Sequence, residues 1–150
     1  MTKVIVFDMD GTIFDFYGVN GWLEDLHNEN TRPYDLAEFM YTEELIDTLN
    51  QLRELGWLVG VTSWLAKNSS QEYKKATRES KKNRLAEINF PCDFCHLVQY
   101  GTRKDTCTKN LGGFQILVDD NTEVRESWRN GATIDANKNI LEELKKLLDI

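Results

Sequence analysis

Two carboxylates, Asp8 and Asp10, close the apolar run KVIVF and are followed at once by Gly11 and Thr12. A second acidic pair, Asp119-Asp120, closes another apolar run, QILV. Between them in the chain lie Thr62, Ser63 and Trp64 after WLVGV, and Lys104 in YGTRK. Gathered carboxylates with hydroxyls and a lysine are the side chains that phosphoryl transfer requires, because that chemistry rests on positioning and on neutralising negative charge. A carboxylate can attack phosphorus and form an acyl phosphate, dividing one hard displacement into two easier ones. A second carboxylate can give a proton to the leaving oxygen and then take one from water. Oxygen ligands brought together in this way favour a hard divalent cation.

These residues can meet only if the runs before them are neighbouring strands. Residues 3–8, 57–62, 94–100 and 115–119 are short apolar runs rich in β-branched and aromatic residues and read as buried strands, with a weaker fifth at 132–134. Helical spacing of Leu45, Ile46, Leu49, Leu52 and Leu55 predicts a helix over 42–55, with Thr42 as cap and Gly56 beyond its end. A long charged helix is predicted over 69–88, capped by Ser69 or Ser70. A short helix capped by Asn121 or Thr122 should end at Gly131, and a last one should span 138–149. Strands alternating with helices imply an α/β fold with a mainly parallel sheet of about five strands. In such sheets ligands sit at the carboxyl ends of the strands, where all the residues named above would emerge. The segment at 16–41, with Phe16, Tyr17, Trp22 and Phe39 among acids and glycines, is too long for a connection and reads as a small helical cap inserted into a single domain of 1–150.

Composition bounds the function. Hydrophobic residues make up 41% and charged residues 29%, as in ordinary globular proteins. No apolar run is long enough to span a membrane and no signal peptide is evident, so a cytoplasmic location without membrane partners is expected. The net charge of -7 argues against general binding to a nucleic-acid backbone, but not against a small phosphate, since a metal ion can supply local positive charge.

Asp8-Met9-Asp10-Gly11-Thr12 resembles the first motif of the haloacid dehalogenase superfamily. Thr62 resembles the second, Lys104 the third and Asp119-Asp120 the fourth, all in order along the chain. The resemblance implies a Rossmann-like three-layer sandwich and a Mg2+-dependent phosphatase of small phosphorylated substrates, a nucleotide among them. It implies Asp8 as nucleophile, Asp10 as acid and base, Thr62 as a donor to a phosphoryl oxygen and Lys104 as the charge-neutralising group. Magnesium would be held by Asp8, the Asp10 main-chain carbonyl and Asp119, with Asp120 as ligand or support. Gly11 would let the backbone approach the phosphate, Thr12 would orient Asp10 or cap the turn, and Ser63 and Trp64 would contact substrate.

Partial resemblances widen the choice of substrate. FDFYG, Thr62-Ser63 and TRK are similar to small deoxyribonucleotidases, whereas DDNTEVRESWRNG resembles the 3'-phosphatase domain of phage-type polynucleotide kinases. Nucleic-acid ends are therefore a rival substrate, and a binding module without turnover is a third reading. YGVNGWLE, RPY and VTSWLAKNSS are most similar to small phage and bacterial members of the superfamily. Lys74, Lys75, Arg78, Lys81 and Lys82 follow helical spacing, but intervening glutamates favour a solvated face. Cys92, Cys95, His96 and Cys107 offer soft metal ligands, yet Cys95 and His96 are adjacent on a predicted strand and should point apart, so coincidence is favoured over zinc.

Overall fold

The computed structural model describes residues 1–150, and each of the five apolar runs forms a strand: β1 (Lys3–Phe7), β2 (Trp57–Trp64), β3 (Phe94–Val98), β4 (Phe114–Asp119) and β5 (Gly131–Asp135). All neighbouring strands are parallel, in the order β3-β2-β1-β4-β5. The central position of β1 explains its unbroken apolar run, because Val4 and Val6 face one helical layer while Ile5 and Phe7 face the other. The larger core lies under α3 (Glu43–Glu54), α4 (Gln71–Glu87) and α7 (Ile140–Lys146). It joins Leu45, Leu49, Leu52, Tyr73, Leu85 and Leu144 to Phe7, Val59 and Val118. On the opposite face α6 (Thr122–Ser127) and its C-cap Trp128 pack on Val4, Val6 and Leu117, and α5 (Lys104–Thr108) joins β3 to β4 on the way. The fold is a three-layer α/β sandwich, and no helix is long and apolar enough to cross a membrane.

Capping residues fix several helix starts. Ser70, Asn121 and Asn139 accept from the backbone N–H groups of Tyr73, Val124 and Glu142. Three local expectations need correction. Thr42 stands at the cap position of α3 but its side chain makes no capping bond, so the acidic first turn of Glu43 and Glu44 is what meets the helix N-terminus. Gly131 does not end α6, which stops at Ser127; it opens β5, where a Cβ would lie 2.1 Å from the Gln115 carbonyl oxygen. The last helix is shorter, with a separate 3₁₀ turn at Leu147–Asp149.

The segment between β1 and α3 holds a 3₁₀ turn (Phe16–Gly18) and two short helices, α1 (Trp22–His27) and α2 (Arg32–Leu36). Its two ends meet through an antiparallel bridge from Phe14 to Phe39. Inside it, Phe16 packs against Tyr17, Trp22 and Tyr34 with ring centroids 4.7–5.7 Å apart. Helix α4 holds the segment from below. Tyr73 Oη donates to the Asn30 carbonyl, and Arg84 donates to the Asp35 and Ala37 carbonyls while stacking 4.3 Å from the Phe39 ring centroid.

Candidate active site

The carboxyl ends of β1 and β4 lie side by side, with Phe7 paired to Val118, so Asp8 and Asp119 emerge together. Carboxylate oxygens of Asp8, Asp119 and Asp120 all lie within 4.8 Å of one another. Lys104, at the first turn of α5, reaches into this cluster: its Nζ donates to Asp8 Oδ1 at 2.9 Å and to Asp119 Oδ2 at 2.7 Å. Burial alone would depress the Lys104 ammonium, but Asp8 and Asp119 outweigh it and raise it above the ordinary lysine value. Asp120 is pushed the other way for a carboxyl, up to about 8, first by burial and then by the Asp8 charge and a hydrogen bond to Asp8. Asp119 is also raised, by burial and by Asp8, with Lys104 opposing.

The loop after β1 turns on the Met9 carbonyl, which accepts from the backbone N–H groups of Thr12 and Ile13. Gly11 has φ +79°, and a Cβ there would lie 2.4 Å from Asp120 Oδ2 and 3.1 Å from the Tyr17 ring. Its small size therefore serves the approach of Asp120. Thr12 does not orient Asp10. Its buried hydroxyl donates to Asp8 Oδ2 at 3.2 Å, so both Asp8 oxygens are held.

A cavity of about 350 Å³ opens above these groups. Asp8, Asp10, Ser63, Lys104, Asp119 and Asp120 line its polar side, while Tyr17, Trp22, Tyr34, Trp64 and Tyr100 provide aromatic walls. Trp64 is fixed by a 2.7 Å hydrogen bond from its Nε1 to the Thr102 carbonyl and packs on Tyr100 at 4.9 Å. Lys67 also lines the cavity, its Nζ 5.7 Å from the Tyr100 centroid.

Thr62, Gly11 and Thr12 do not line the cavity. Strand β2 runs two residues past the predicted end, through Trp64, and pairs Thr62 with His96 across the sheet. The Thr62 hydroxyl accordingly lies 3.4 Å from His96 Nδ1, and Ser63 takes the place at the cavity expected for Thr62. The carboxylate of Asp10 is outside the three-carboxylate group. Its Oδ2 accepts instead from Lys81 Nζ at 3.2 Å.

Lys81 corrects the reading of α4 as a uniformly solvated basic face. Lys75 and Lys82 are exposed, but the Lys81 side chain is 0% exposed and also donates to Ser63 Oγ and the Trp64 carbonyl, each at 2.8 Å. The signal was in the spacing: Tyr73, Thr77, Lys81 and Leu85 recur every four residues and form the buried stripe of the helix. The cysteines and His96 do not come together as a ligand set, and Cys107 Sγ instead donates to the Arg103 carbonyl.

The crystal structure of D,D-heptose 1,7-bisphosphate phosphatase from Burkholderia thailandensis superposes with a TM-score of 0.58 over 99% of this chain and 100% of that one, at 10% identity. The HAD domain of effector protein Lem4 from Legionella pneumophila matches at 0.50 over 98% and 93%, with 14% identity. This chain has the haloacid dehalogenase fold. The D,D-heptose 1,7-bisphosphate phosphatase from B. bronchiseptica, solved in complex with magnesium and phosphate, superposes at a TM-score of 0.55, with 9% identity over 97% of this chain and 99% of that one. No protein-family model and no curated protein matches the sequence. The resemblance of the four motifs to the haloacid dehalogenase pattern thus coincides with a likeness in fold that overall sequence identity does not carry.

Proposed function

We propose that this protein is a magnesium-dependent phosphomonoesterase working through an aspartyl-phosphate on Asp8. The observation that carries the reading is the placement of Asp8: it ends the central strand, opens into the cavity, and has both oxygens held by Lys104 and Thr12. A carboxylate fixed in this way is oriented for in-line attack. One of its oxygens would bond to phosphorus as the bond to the leaving oxygen breaks, and Asp10, lining the same cavity, would give its proton to that oxygen. Asp10 would then take a proton from water, which attacks the phosphorus of the acyl phosphate, frees inorganic phosphate and restores Asp8. Lys104 would offset negative charge on Asp8 and on the transferred group, and Ser63 would donate to a phosphoryl oxygen.

The donor set fits magnesium. Three carboxylates share a small space with one lysine between two of them, and Lys104 bonds Asp8 and Asp119 but not Asp120. Asp8, Asp119 and Asp120, with the Asp10 main-chain carbonyl, would hold the ion, which when bound supplies further neutralisation of the phosphoryl oxygens. The magnesium and phosphate in the related B. bronchiseptica structure support this assignment.

The cavity favours a small phosphate with a flat or apolar leaving group, such as a nucleotide, because Tyr17, Trp22, Trp64 and Tyr100 offer ring faces beside the acids. The rival reading of nucleic-acid ends rests on the DDNTEVRESWRNG resemblance; a basic track along α4 would serve it, and that track loses Lys81 to burial while Lys74, Lys75, Arg78 and Lys82 keep some exposure. A phosphate-release screen over mononucleotides, sugar phosphates, phosphopeptides and 3'-phosphorylated DNA tests the proposal. Magnesium-dependent release from small esters that vanishes in Asp8→Asn is expected. Tight ligand binding with no release from any class would move the protein to a binding role.

A further inference from the structure

We infer that Lys81 is the positioning residue of the acid-base step: it holds one oxygen of Asp10 so that the other carries the proton toward the leaving group. This rests on the phosphomonoesterase reading and assigns a second lysine to it, with a task separate from that of Lys104.

The geometry divides the site between two ammonium groups. Lys104 bonds Asp8 and Asp119 and not Asp10. Lys81 comes from α4, on the opposite side of the sheet, and bonds Asp10 and neither of the others. Its three N–H donors have three acceptors: Asp10 Oδ2, Ser63 Oγ and the Trp64 carbonyl oxygen. The last two sit at the carboxyl end of β2, so the ammonium is anchored to the sheet and presents its third hydrogen to Asp10. The Tyr34 ring lies 5.3 Å from Nζ and closes the remaining side.

Asp10 completes the argument. Its Oδ2 is occupied by Lys81, whereas Oδ1 is buried with no partner in the protein. An N–H donated by an ammonium to Oδ2 disfavours a proton on that oxygen, because the charge-assisted contact is strongest to an oxygen that carries none. The proton of the neutral acid is thereby directed to Oδ1, the oxygen left free in a residue that lines the cavity. Burying an ammonium is costly, and a buried ion pair is often replaced by apolar side chains without loss of stability. A methionine would fill the same place on the α4 stripe but would leave Asp10 without its counter-charge, so the lysine there is tied to Asp10.

The test compares kcat/KM of wild type and Lys81→Met on two esters, p-nitrophenyl phosphate and glycerol phosphate, in magnesium. The nitrophenolate departs without a proton, whereas the glycerol alkoxide needs one. Loss of Asp10 positioning should therefore cost about 100-fold on glycerol phosphate, the usual scale of a general acid, and under about 10-fold on the nitrophenyl ester. Equal losses on both would overturn the assignment while leaving the phosphatase reading intact. A wild type inactive on both esters and on the wider panel would remove the phosphatase reading and this assignment with it. Should Lys81→Met alone not fold, Asp10→Asn is compared with Asp10→Asn combined with Lys81→Met, where no charge of the pair is left unpartnered. A residue acting through Asp10 adds under about 3-fold there. A further loss of tenfold would show Lys81 acting on its own and refute the inference.

Discussion

Replacing Lys104 with methionine removes one charge from the centre of the site while keeping the volume of the side chain. The structure sets the scale of the result. Nζ is within 2.9 Å of Asp8 and 2.7 Å of Asp119, the side chain is 3% exposed, and Asp120 lies in the same carboxylate group. Breaking a buried pair from one side leaves the partner charges uncompensated, at a cost of roughly 3–5 kcal/mol. For a chain of this size each kcal/mol shifts the midpoint by about 2–4 °C, so a fall of about 6–20 °C is expected without metal. The sign of the pH dependence follows from the raised carboxyls. A carboxyl whose folded pKa lies above its unfolded one destabilises the fold progressively as pH rises from about 4 through the raised value, here about 6 for Asp119, which burial and Asp8 raise and Lys104 opposes. The deficit of Lys104→Met should therefore be larger at pH 8 than at pH 5, and magnesium should narrow it, because carboxylates that have lost the lysine bind the cation more tightly than in wild type, each tenfold in Kd adding about 1.4 kcal/mol at saturating metal. Thermal unfolding of both proteins in EDTA and in magnesium, at both pH values, reads all of this. A variant within about 2 °C of wild type in EDTA at pH 8, or a deficit independent of pH, would show that Lys104 does not compensate the cluster.

Asp8→Asn should lower phosphate release by about a thousandfold or more and abolish any phosphorylated protein detectable by mass spectrometry, since an amide cannot form the acyl phosphate. Ser63→Ala should reduce kcat/KM by about tenfold or more whereas Thr62→Val stays within about fivefold, because only Ser63 faces the cavity; steady-state kinetics on one small ester separates the two. Asp93 accepts two hydrogen bonds from Arg53 and one from the Val59 N–H, and these outweigh its burial and hold its carboxyl below the ordinary aspartate value. Its stabilisation is thus fully present above about pH 4 and lost progressively as pH falls through the lowered folded value; with Arg53 partly exposed, Asp93→Asn should cost about 0.5–1 kcal/mol at pH 7 and progressively less below about pH 4, by urea unfolding.

The strands were legible because a sheet buried on both faces demands unbroken apolar runs, and β1, β2 and β4 have them. Their ends located Asp8 and Asp119, since a charged side chain can follow such a run only where the strand leaves the core. Side-chain direction at those ends was less legible. One residue of difference moves a side chain to the other face, and the extension of β2 to Trp64, set by pairing with β3, gave Thr62 to His96 and Ser63 to the cavity. No local pattern in WLVGVTSW records that pairing. Lys81 was harder still, because a lysine on a charged helix is ordinarily solvated, and what makes this one tolerable inside is a set of acceptors 17, 18 and 71 residues away in the chain.

The strand order gives a physical reason for finding the two lysines on different carboxylates. The chain builds β1, β2 and β3 outward in one direction and then returns to place β4 on the other side of β1, so the crossovers from β1 flank a crevice at its carboxyl end. Asp8 and Asp119 line the β4 side of that crevice, within reach of α5 on one layer. Asp10, two residues further along the departing chain, lies toward β2 and the opposite layer, where α4 passes with Lys81. Each lysine bonds a different part of the one cavity: Lys104 holds Asp8 and Asp119, and Lys81 holds Asp10. Two carboxylates with different tasks therefore receive their counter-charges from opposite faces of one sheet, and exchanging the environments of Asp8 and Asp10 would require moving a helix rather than a side chain.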